Sequence, residues 1–165
     1  MNRTMDNLKE AFGGESQANR KYLAFARQAD KEGLPQVARL FRAVAEAETV
    51  HAHNHLRTMG GIKSTAENLK EAIAGEHYEF TRMYPPMVEA AKAEGNGAAE
   101  RVFSYANEVE KIHGALYQKA LDHLDSPAEV DHYQICSVCG YTCENEAPEK
   151  CPVCGAPAKA FCKVE

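Results

Sequence analysis

The chain has 165 residues, of which 44% are apolar and 26% charged, a composition typical of one packed domain with a small appendage. A net charge of −5 argues against nucleic-acid binding, and no apolar run is long enough to predict a membrane span. All six cysteines fall between Cys136 and Cys162, and the N-terminus lacks the apolar segment of a signal peptide. We therefore expect a cytoplasmic protein whose clustered thiols bind a metal rather than form disulfides.

Four amphipathic helices are predicted in the first 125 residues. They are expected at about 5–31, from 35 to just before Gly60, at about 64–94 and at about 98–124. Thr4 is a candidate cap for the first helix, and Ser64 with Glu67 forms a capping box for the third. Pro85 and Pro86 are expected to kink or interrupt the third helix. Four helices of this kind predict a helix bundle.

The first pair of helices is repeated in the second pair. The segment 7–15 recurs 61 positions later with seven of its nine residues identical. The segment 41–51 recurs 62 positions later with Phe, Glu, Glu and His at matching places. Tyr22 and Tyr84 also correspond at the offset of 62. The two halves are therefore expected to have the same structure.

Each half of the repeat carries a carboxylate and an imidazole at a metal-ligand spacing. Glu48 precedes His51 by three residues, as Glu110 precedes His113, so each pair points from one helix face. Apolar neighbours of both pairs indicate buried carboxylates, which are costly unless a cation compensates them. We therefore predict a dinuclear carboxylate site for iron or manganese. The seven candidate ligands are Glu15, Glu48, His51, Glu76, Glu79, Glu110 and His113.

One of these ligands breaks the symmetry of the repeat. Glu79 has Gln17 or Ala18 as its counterpart in the first half, according to the offset. Six symmetric ligands suffice for two metals, so the additional carboxylate indicates that one metal exchanges a ligand with redox state. Tyr22 and Tyr84 are candidates to hydrogen-bond the ligand carboxylates.

Two C-x-x-C knuckles follow the helices. They consist of Cys136 with Cys139 and of Cys151 with Cys154, each followed by a glycine. A knuckle turns tightly enough for two thiolates to reach one metal, so the two together predict tetrahedral sulfur ligation. Zinc and iron both accept this geometry. Cys143 and Cys162 lie outside the knuckles and are expected to be free thiols.

The seven helical ligands followed by the two knuckles resemble rubrerythrin over nearly the whole chain. The resemblance implies an all-α ferritin-like four-helix bundle over 1–125, a linker over 126–132 and a small rubredoxin-like domain over 133–165. It implies a di-iron centre on the seven ligands, oxo-bridged when oxidised, and one iron on the four knuckle cysteines. It further implies that one iron moves between Glu79 and His51 as the pair is reduced and oxidised.

The resemblance also implies an oxidoreductase that defends against oxidative stress. Hydrogen peroxide is expected to be reduced to water with electrons relayed through the rubredoxin-like iron. The expected donor is a rubredoxin or an NAD(P)H-dependent flavoprotein reductase. The alternative is a ferritin-like iron oxidation and storage protein, although a storage shell has no need of a one-electron relay. A third interpretation is a colourless zinc-ribbon interaction module on a structural bundle.

The connection between the second and third helices is short for a ferritin-like bundle. Such a bundle needs one long crossover, whereas only about Thr58 to Ser64 is clearly non-helical. The crossover just becomes feasible if the second helix ends near His55. Otherwise the first helix pair of one chain packs on the second pair of another. We therefore expect a homodimer, with a domain swap as an open alternative.

The linker between the bundle and the cysteine domain is also short. We expect it to keep this domain at the end of its own bundle, roughly 20 Å from the di-iron ligands. Electron transfer within one chain then looks slow, which predicts transfer between subunits.

Overall fold

The computed structural model describes residues 3–126 and 129–164. Two residues of the expected linker, at positions 127 and 128, lie outside these ranges. No helix in the described ranges is long and apolar enough to cross a membrane. The chain divides into two compact units, Met1–Lys63 and Ser64–Glu165. The second unit thus contains the cysteine domain together with the second helix pair, whereas the sequence predicts a functional boundary near residue 126.

The first unit is a hairpin of two helices. Helix α1 spans Arg3–Lys31 and helix α2 spans Pro35–Thr58. The turn between them contains Gly33 at a φ of +74°, a conformation that other residues rarely adopt. Pro35 opens α2, where its missing N–H costs nothing. Thr4 is itself helical, so the prediction that it caps α1 is wrong.

Small side chains form the contact between α1 and α2. The buried residues of this hairpin within the described ranges are Ala26, Ala29, Ala38, Ala45 and Ala52. Asn19 Nδ2 donates to Ala45 O and to Thr49 Oγ1, both at 2.8 Å, and ties the helices together. Leu40 and Val50 remain 63% and 58% exposed. The hairpin therefore packs closely through alanines and leaves larger apolar side chains uncovered.

The second unit begins with a capped helix. Ser64 Oγ accepts a hydrogen bond from Glu67 N, and Glu67 Oε2 accepts one from Ser64 N, which confirms the predicted capping box. The helical segments that follow are α3 (Thr65–Tyr78), a π-helical turn (Glu79–Met83), α4 (Tyr84–Ala93) and α5 (Gly97–Asp122). Asn96 caps α5 by accepting from Ala99 N at 3.1 Å.

The π-helical turn follows from the two prolines after it. Pro85 and Pro86 have no N–H to donate to the carbonyls four residues earlier, and a proline ring clashes with the carbonyl at that position. The turn closes instead with a bond across five residues, from Tyr84 N to Glu79 O. The predicted interruption of the third helix is thus confirmed, and its form is a widened turn rather than a break.

The same turn explains why the offset of the repeat changes from 61 to 62. Tyr22 follows Glu15 by seven residues, which is two α-helical turns, whereas Tyr84 follows Glu76 by eight. The widened turn absorbs the additional residue and keeps Tyr84 on the face that carries Glu76. Each tyrosine contacts the equivalent phenylalanine of its partner helix, with ring centroids 6.2 and 6.4 Å apart and interplanar angles of 34° and 40°. The two halves therefore keep the same register.

The cysteine domain is built on an antiparallel sheet. Strand β1 (Tyr133–Cys136) lies between β2 (Thr142–Glu144) and β3 (Phe161–Val164) in the described part of the chain. Lys119 of α5 forms a salt bridge with Glu144 of β2. Gly140 lies beside Val109, since an added Cβ would be in ordinary van der Waals contact with Val109 Cγ1 at 3.8 Å. The sheet therefore lies alongside α5.

The register argument predicts that one-residue deletions have unequal effects in the two halves. Deleting Thr81 from a Pro85→Ala, Pro86→Ala variant should convert the π-turn into continuous α-helix and preserve the faces on either side. Deleting Ala18 should rotate Tyr22 by about 100° away from its face, since α1 has no widened turn to remove. In metal-free urea unfolding, the first deletion should stay near the midpoint of its proline-free parent and the second should fall well below wild type. Equal losses would contradict the register argument.

Candidate metal centres

The first unit brings three of the seven candidate ligands together. Ligand atoms of Glu15 on α1 and of Glu48 and His51 on α2 all lie within 4.8 Å of one another. His51 Nδ1 is 2.9 Å from Glu48 Oε2, as the three-residue spacing predicts. The side chain of Glu48 is 15% exposed and that of His51 is 55% exposed. The Glu48 carboxylate is thus as protected as that of Glu110, although its apolar neighbour Val50 is largely exposed.

The second unit holds the equivalent group. Ligand atoms of Glu76 on α3 and of Glu110 and His113 on α5 lie within 4.8 Å of one another. His113 Nδ1 is 2.8 Å from Glu110 Oε2. Val109, beside this pair, is 2% exposed, so the expected burial holds here. Glu79 is not one of these three, but its charge helps to raise the pKa of Glu76, so it lies near the group.

Crowding of carboxylates in the second unit favours their neutral forms. Burial, followed by the charge and hydrogen bond of Glu110, raises the pKa of Glu76 from 4.5 to about 7. Burial and the charge of Glu110 also raise the pKa of Glu79. A cation that replaces the shared proton relieves both effects. Carboxylate oxygens with some imidazole suit iron or manganese, so this donor set fits the predicted metals.

The two tyrosines of the repeat lie beside the ligand groups. Burial, followed by the charges of Glu110, Glu79 and Glu76, raises the pKa of Tyr84, which places its hydroxyl near these carboxylates. Tyr22 packs against aromatic rings of its own hairpin. Within the described residues neither hydroxyl hydrogen-bonds a carboxylate. Their role as hydrogen-bond donors to the ligands stays a prediction.

The four knuckle cysteines converge on one point. Sγ of Cys136 lies 3.6 Å from that of Cys154, and Sγ of Cys139 lies 3.5 Å from that of Cys151. A tetrahedral ion with metal–sulfur bonds of about 2.3 Å separates its sulfurs by about 3.8 Å. The four sulfurs therefore fit a single tetrahedral metal.

The backbone of each knuckle is shaped for thiolate ligands. The glycines after the knuckles have positive φ, +86° at Gly140 and +74° at Gly155, and each donates its N–H to the carbonyl of the first cysteine of its knuckle. Burial raises the pKa of Cys139 and Cys154, whereas at Cys151 hydrogen bonds from the backbone of Cys154 and Val153 and from the thiols of Cys139 and Cys154 outweigh burial and bring the pKa to about 7. The loop thus stabilises negative charge on sulfur.

The two remaining cysteines lie outside this group. Cys143 and Cys162 are free thiols, as predicted, and the Cys143 thiol contacts Glu146 O at 3.6 Å.

His113 contacts the cysteine domain of its own chain. Its Nε2 lies 3.3 Å from Gly140 O and 3.1 Å from Thr142 Oγ1, and Gly140 directly follows Cys139. The expectation that a short linker keeps this domain about 20 Å from the ligands of the same chain is therefore wrong, because the sheet folds back along α5. Sequence reasoning missed Thr142, since a single threonine in a strand carries no signal of such a contact.

Comparison with known families agrees with this pair of donor sets. The profile of the Rubrerythrin family matches residues 6–121, and that of the rubrerythrin rubredoxin-like domain matches residues 134–162. The chain belongs to the rubrerythrin family.

Individual rubrerythrins resemble the chain over nearly its full length. Rubrerythrin-2 of Clostridium acetobutylicum is 37% identical, over 96% of this chain and 95% of that protein. Nigerythrin of Nitratidesulfovibrio vulgaris is 36% identical, over 96% of this chain and 85% of that protein. A solved structure of nigerythrin, described as fully reduced and all ferrous, aligns with a TM-score of 0.60 at 34% identity, over 99% of this chain and 88% of that one. The predicted fold class is confirmed.

Family membership decides which metals the two donor sets take. Rubrerythrins are ferritin-like oxidoreductases with a role in oxidative stress, and they carry a di-iron centre and one iron on four cysteines. The carboxylate–histidine groups and the tetrathiolate group of this chain fit both cofactors. The alternative of a zinc-ribbon module on a structural bundle is thereby set aside.

The crowded carboxylates predict an unusual dependence of stability on pH. Because the pKa of Glu76 is raised on folding, the folded metal-free chain binds this proton more tightly than the unfolded chain does. Its contribution to stability is therefore present below about pH 4.5 and is lost as pH rises through about 7. Glu76→Gln should flatten this decline in metal-free thermal unfolding between pH 5 and 8, whereas Glu46→Gln at an exposed position should keep it. If the unfolding temperature of Glu76→Gln fell with pH as steeply as that of wild type, the raised pKa of Glu76 would not be the cause of the decline.

Proposed function

We propose that this rubrerythrin reduces hydrogen peroxide to water at an iron pair held by seven side chains. The clustering of three candidate ligands within 4.8 Å in each unit carries the proposal, because each group supplies half of a dinuclear set. When bound, the iron pair supplies the two electrons that peroxide reduction requires. The proposed ligands are Glu15, Glu48, His51, Glu76, Glu79, Glu110 and His113.

Five carboxylates in one site favour the more highly charged, oxidised state of the metals. The attraction between a carboxylate and a metal grows as the charge of the metal rises. The ligand set therefore lowers the free energy needed to oxidise the bound metals. Glu79 stands at the first residue of the π-helical turn, where the wider backbone loosens the restraint on its side chain. His51 is the more exposed of the two histidines. We take Glu79 and His51 as the two ligands that alternate with redox state.

The tyrosines support the site by keeping their protons. The raised pKa of Tyr84 holds its hydroxyl neutral near Glu76, Glu79 and Glu110, so it can donate a hydrogen bond to a ligand carboxylate. We propose the same role for Tyr22 in the other half, at the matching position of the repeat.

The cysteine domain is proposed to relay electrons to the pair. Cys136, Cys139, Cys151 and Cys154 would hold an iron that can take up one electron at a time, and the proposed donor is a rubredoxin or an NAD(P)H-dependent flavoprotein reductase in the cytoplasm. The contact of Gly140 O with His113 Nε2 supports a short route from Cys139 to a ligand of the same chain. In functional terms the chain then comprises a di-iron bundle over 1–125, a linker over 126–132 and an electron-relay domain over 133–165.

The connection from α2 to α3 supports a domain-swapped homodimer. Helix α2 continues to Thr58, beyond His55, and α3 begins at Thr65. Seven peptide steps span at most about 25 Å. A crossover along α2, which has 24 residues, must cover about 36 Å. We therefore propose that each iron pair is held by the first unit of one chain and the second unit of its partner.

Peroxide turnover of the iron-loaded protein tests the proposed activity. The anaerobically reduced protein should consume one peroxide per pair of electrons from the iron pair. His113→Ala should abolish this turnover, because the lost imidazole has no substitute, while the absorption of the iron tetrathiolate remains. Glu79→Ala should keep two irons per bundle, on the six remaining ligands, and slow the turnover. His123→Ala, at an exposed histidine outside the ligand set, is the matched control.

Two outcomes would contradict the proposal. Undiminished turnover in His113→Ala would show that this histidine is not a ligand of the active site. Accumulation of many irons per chain with oxygen, and no peroxide turnover, would favour the ferritin-like storage alternative.

Mixed dimers test the domain swap. Glu48→Ala lies in the first unit and Glu110→Ala in the second, so a swapped heterodimer has one doubly damaged site and one intact site. After co-refolding of equal amounts, about a quarter of wild-type peroxide turnover should return, since half of the dimers are mixed and each regains one of two sites. The control pair Glu15→Ala with Glu48→Ala, both in the first unit, should recover nothing. No recovery in the first pair, with mixed dimers demonstrated, would place all ligands of a site in one chain.

A further inference from the structure

The two histidines of the repeat differ in what holds the outer ring nitrogen. In both, Nδ1 faces the glutamate of the same motif, at 2.9 Å for His51 and 2.8 Å for His113. Nε2 of His113 also lies 3.1 Å from Thr142 Oγ1 and 3.3 Å from Gly140 O. Within the described residues no hydrogen bond reaches Nε2 of His51, whose side chain is 55% exposed against 27% for His113. One imidazole is therefore held at both nitrogens and the other at one.

The groups around Thr142 determine where the protons lie. Gly140 O can only accept a hydrogen bond, and the hydroxyl of Thr142 donates to it at 3.0 Å. The oxygen of that hydroxyl is then left to accept from Nε2 of His113. Nε2 can therefore donate to this oxygen when a cation takes the place of the proton on Nδ1, the nitrogen that faces Glu110. A metal-binding imidazole requires this arrangement, with its other N–H donated to a fixed acceptor.

The acceptor is fixed by a sheet rather than by a mobile loop. Thr142 lies on β2 in register with Ile135 of β1, and the neighbouring Glu144 is paired with Lys119 of α5. The position of the hydroxyl relative to α5 is therefore set by strand pairing and by a second contact with the same helix.

We propose that Thr142 is a positioning residue for the metal ligand His113. This proposal depends on one part of the proposed function, the assignment of His113 as a metal ligand. The hydroxyl sets the tautomer and ring orientation of the imidazole, and it makes His113 the fixed histidine of the site. His51 has no such acceptor within the described residues of its unit and remains the exchangeable one. The cysteine domain thus contributes to metal binding in the bundle as well as to electron supply.

Three variants isolate the hydroxyl. Thr142→Val keeps the β-branched shape that suits a strand and removes the hydrogen bonds, and Thr142→Ser restores them. Thr58→Val is the matched control, because it removes a hydroxyl that donates to Asn54 O within α2 of the first unit. The full chain is used throughout, with one zinc per chain on the four cysteines. Zinc retained at one per chain shows that the cysteine domain of each variant is folded.

Two measurements separate positioning from general stability. With further zinc bound at the bundle, nitrogen-15 spectra should show the Nε2 proton of His113 exchanging slowly with water in wild type and at least tenfold faster in Thr142→Val, which lacks the acceptor. Titration with Co²⁺ should show binding at the bundle weakened about tenfold or more in Thr142→Val, and restored in Thr142→Ser, as is typical when the outer partner of a ligand is lost. Thr58→Val should match wild type in both measurements.

The contradicting results are distinct. With zinc at the bundle, absence of a proton on Nε2 of wild-type His113 would overturn the proposal without any variant. Unchanged exchange of the Nε2 proton and unchanged Co²⁺ affinity in Thr142→Val would also overturn it, while leaving the proposed function intact. Failure of wild type to bind Co²⁺ at the bundle would instead refute the proposed function.

Discussion

The burial of neighbouring carboxylates is the constraint on which the rest of the structure depends. Burial, followed by the charge and hydrogen bond of Glu110 on the neighbouring helix, raises the pKa of Glu76 to about 7 in the absence of a cation. Without a metal, this cluster of carboxylates costs folding free energy. A bound multivalent cation removes that cost, so the cluster is a strong cation site. The repeat is asymmetric at Glu79, the proposed fifth carboxylate, which begins a widened turn that leaves the rest of the helix in register. The metal is thus part of what stabilises the bundle.

The cysteine domain is integrated with the helices through a small number of contacts. Its iron ligands are shaped locally, by glycine turns and by backbone N–H groups that point at sulfur. Its placement depends on side chains of α5, among them His113 and Lys119. Because Gly140 joins a knuckle to the contact with His113, the two iron sites share one hydrogen-bonded segment. Electron supply to the bundle and the orientation of His113 therefore both depend on the segment around Gly140.

Sequence alone predicted the features that depend on local spacing. The capping box at Ser64, the paired glutamate and histidine motifs and the knuckles each follow from residues three or four positions apart, so no knowledge of the fold was needed. Pro85 and Pro86 indicate that α-helical hydrogen bonding is interrupted in the third predicted helix. They do not indicate that a π-helical turn takes its place. The exposure of Val50 and the docking of Thr142 on His113 depend on surfaces distant in sequence, for which periodicity carries no information.

Two half-sets of ligands are proposed to close on a pair of irons. Anomalous diffraction at the iron edge from crystals of the iron-loaded protein tests it most directly. The account predicts three iron positions per chain, one among the four cysteines and two about 3.5–4 Å apart among the seven proposed ligands. It also predicts that Glu15, Glu48 and His51 around each pair come from the partner of the chain that supplies Glu110 and His113. Separate single irons in the two half-sets, with no pair between them, would contradict it.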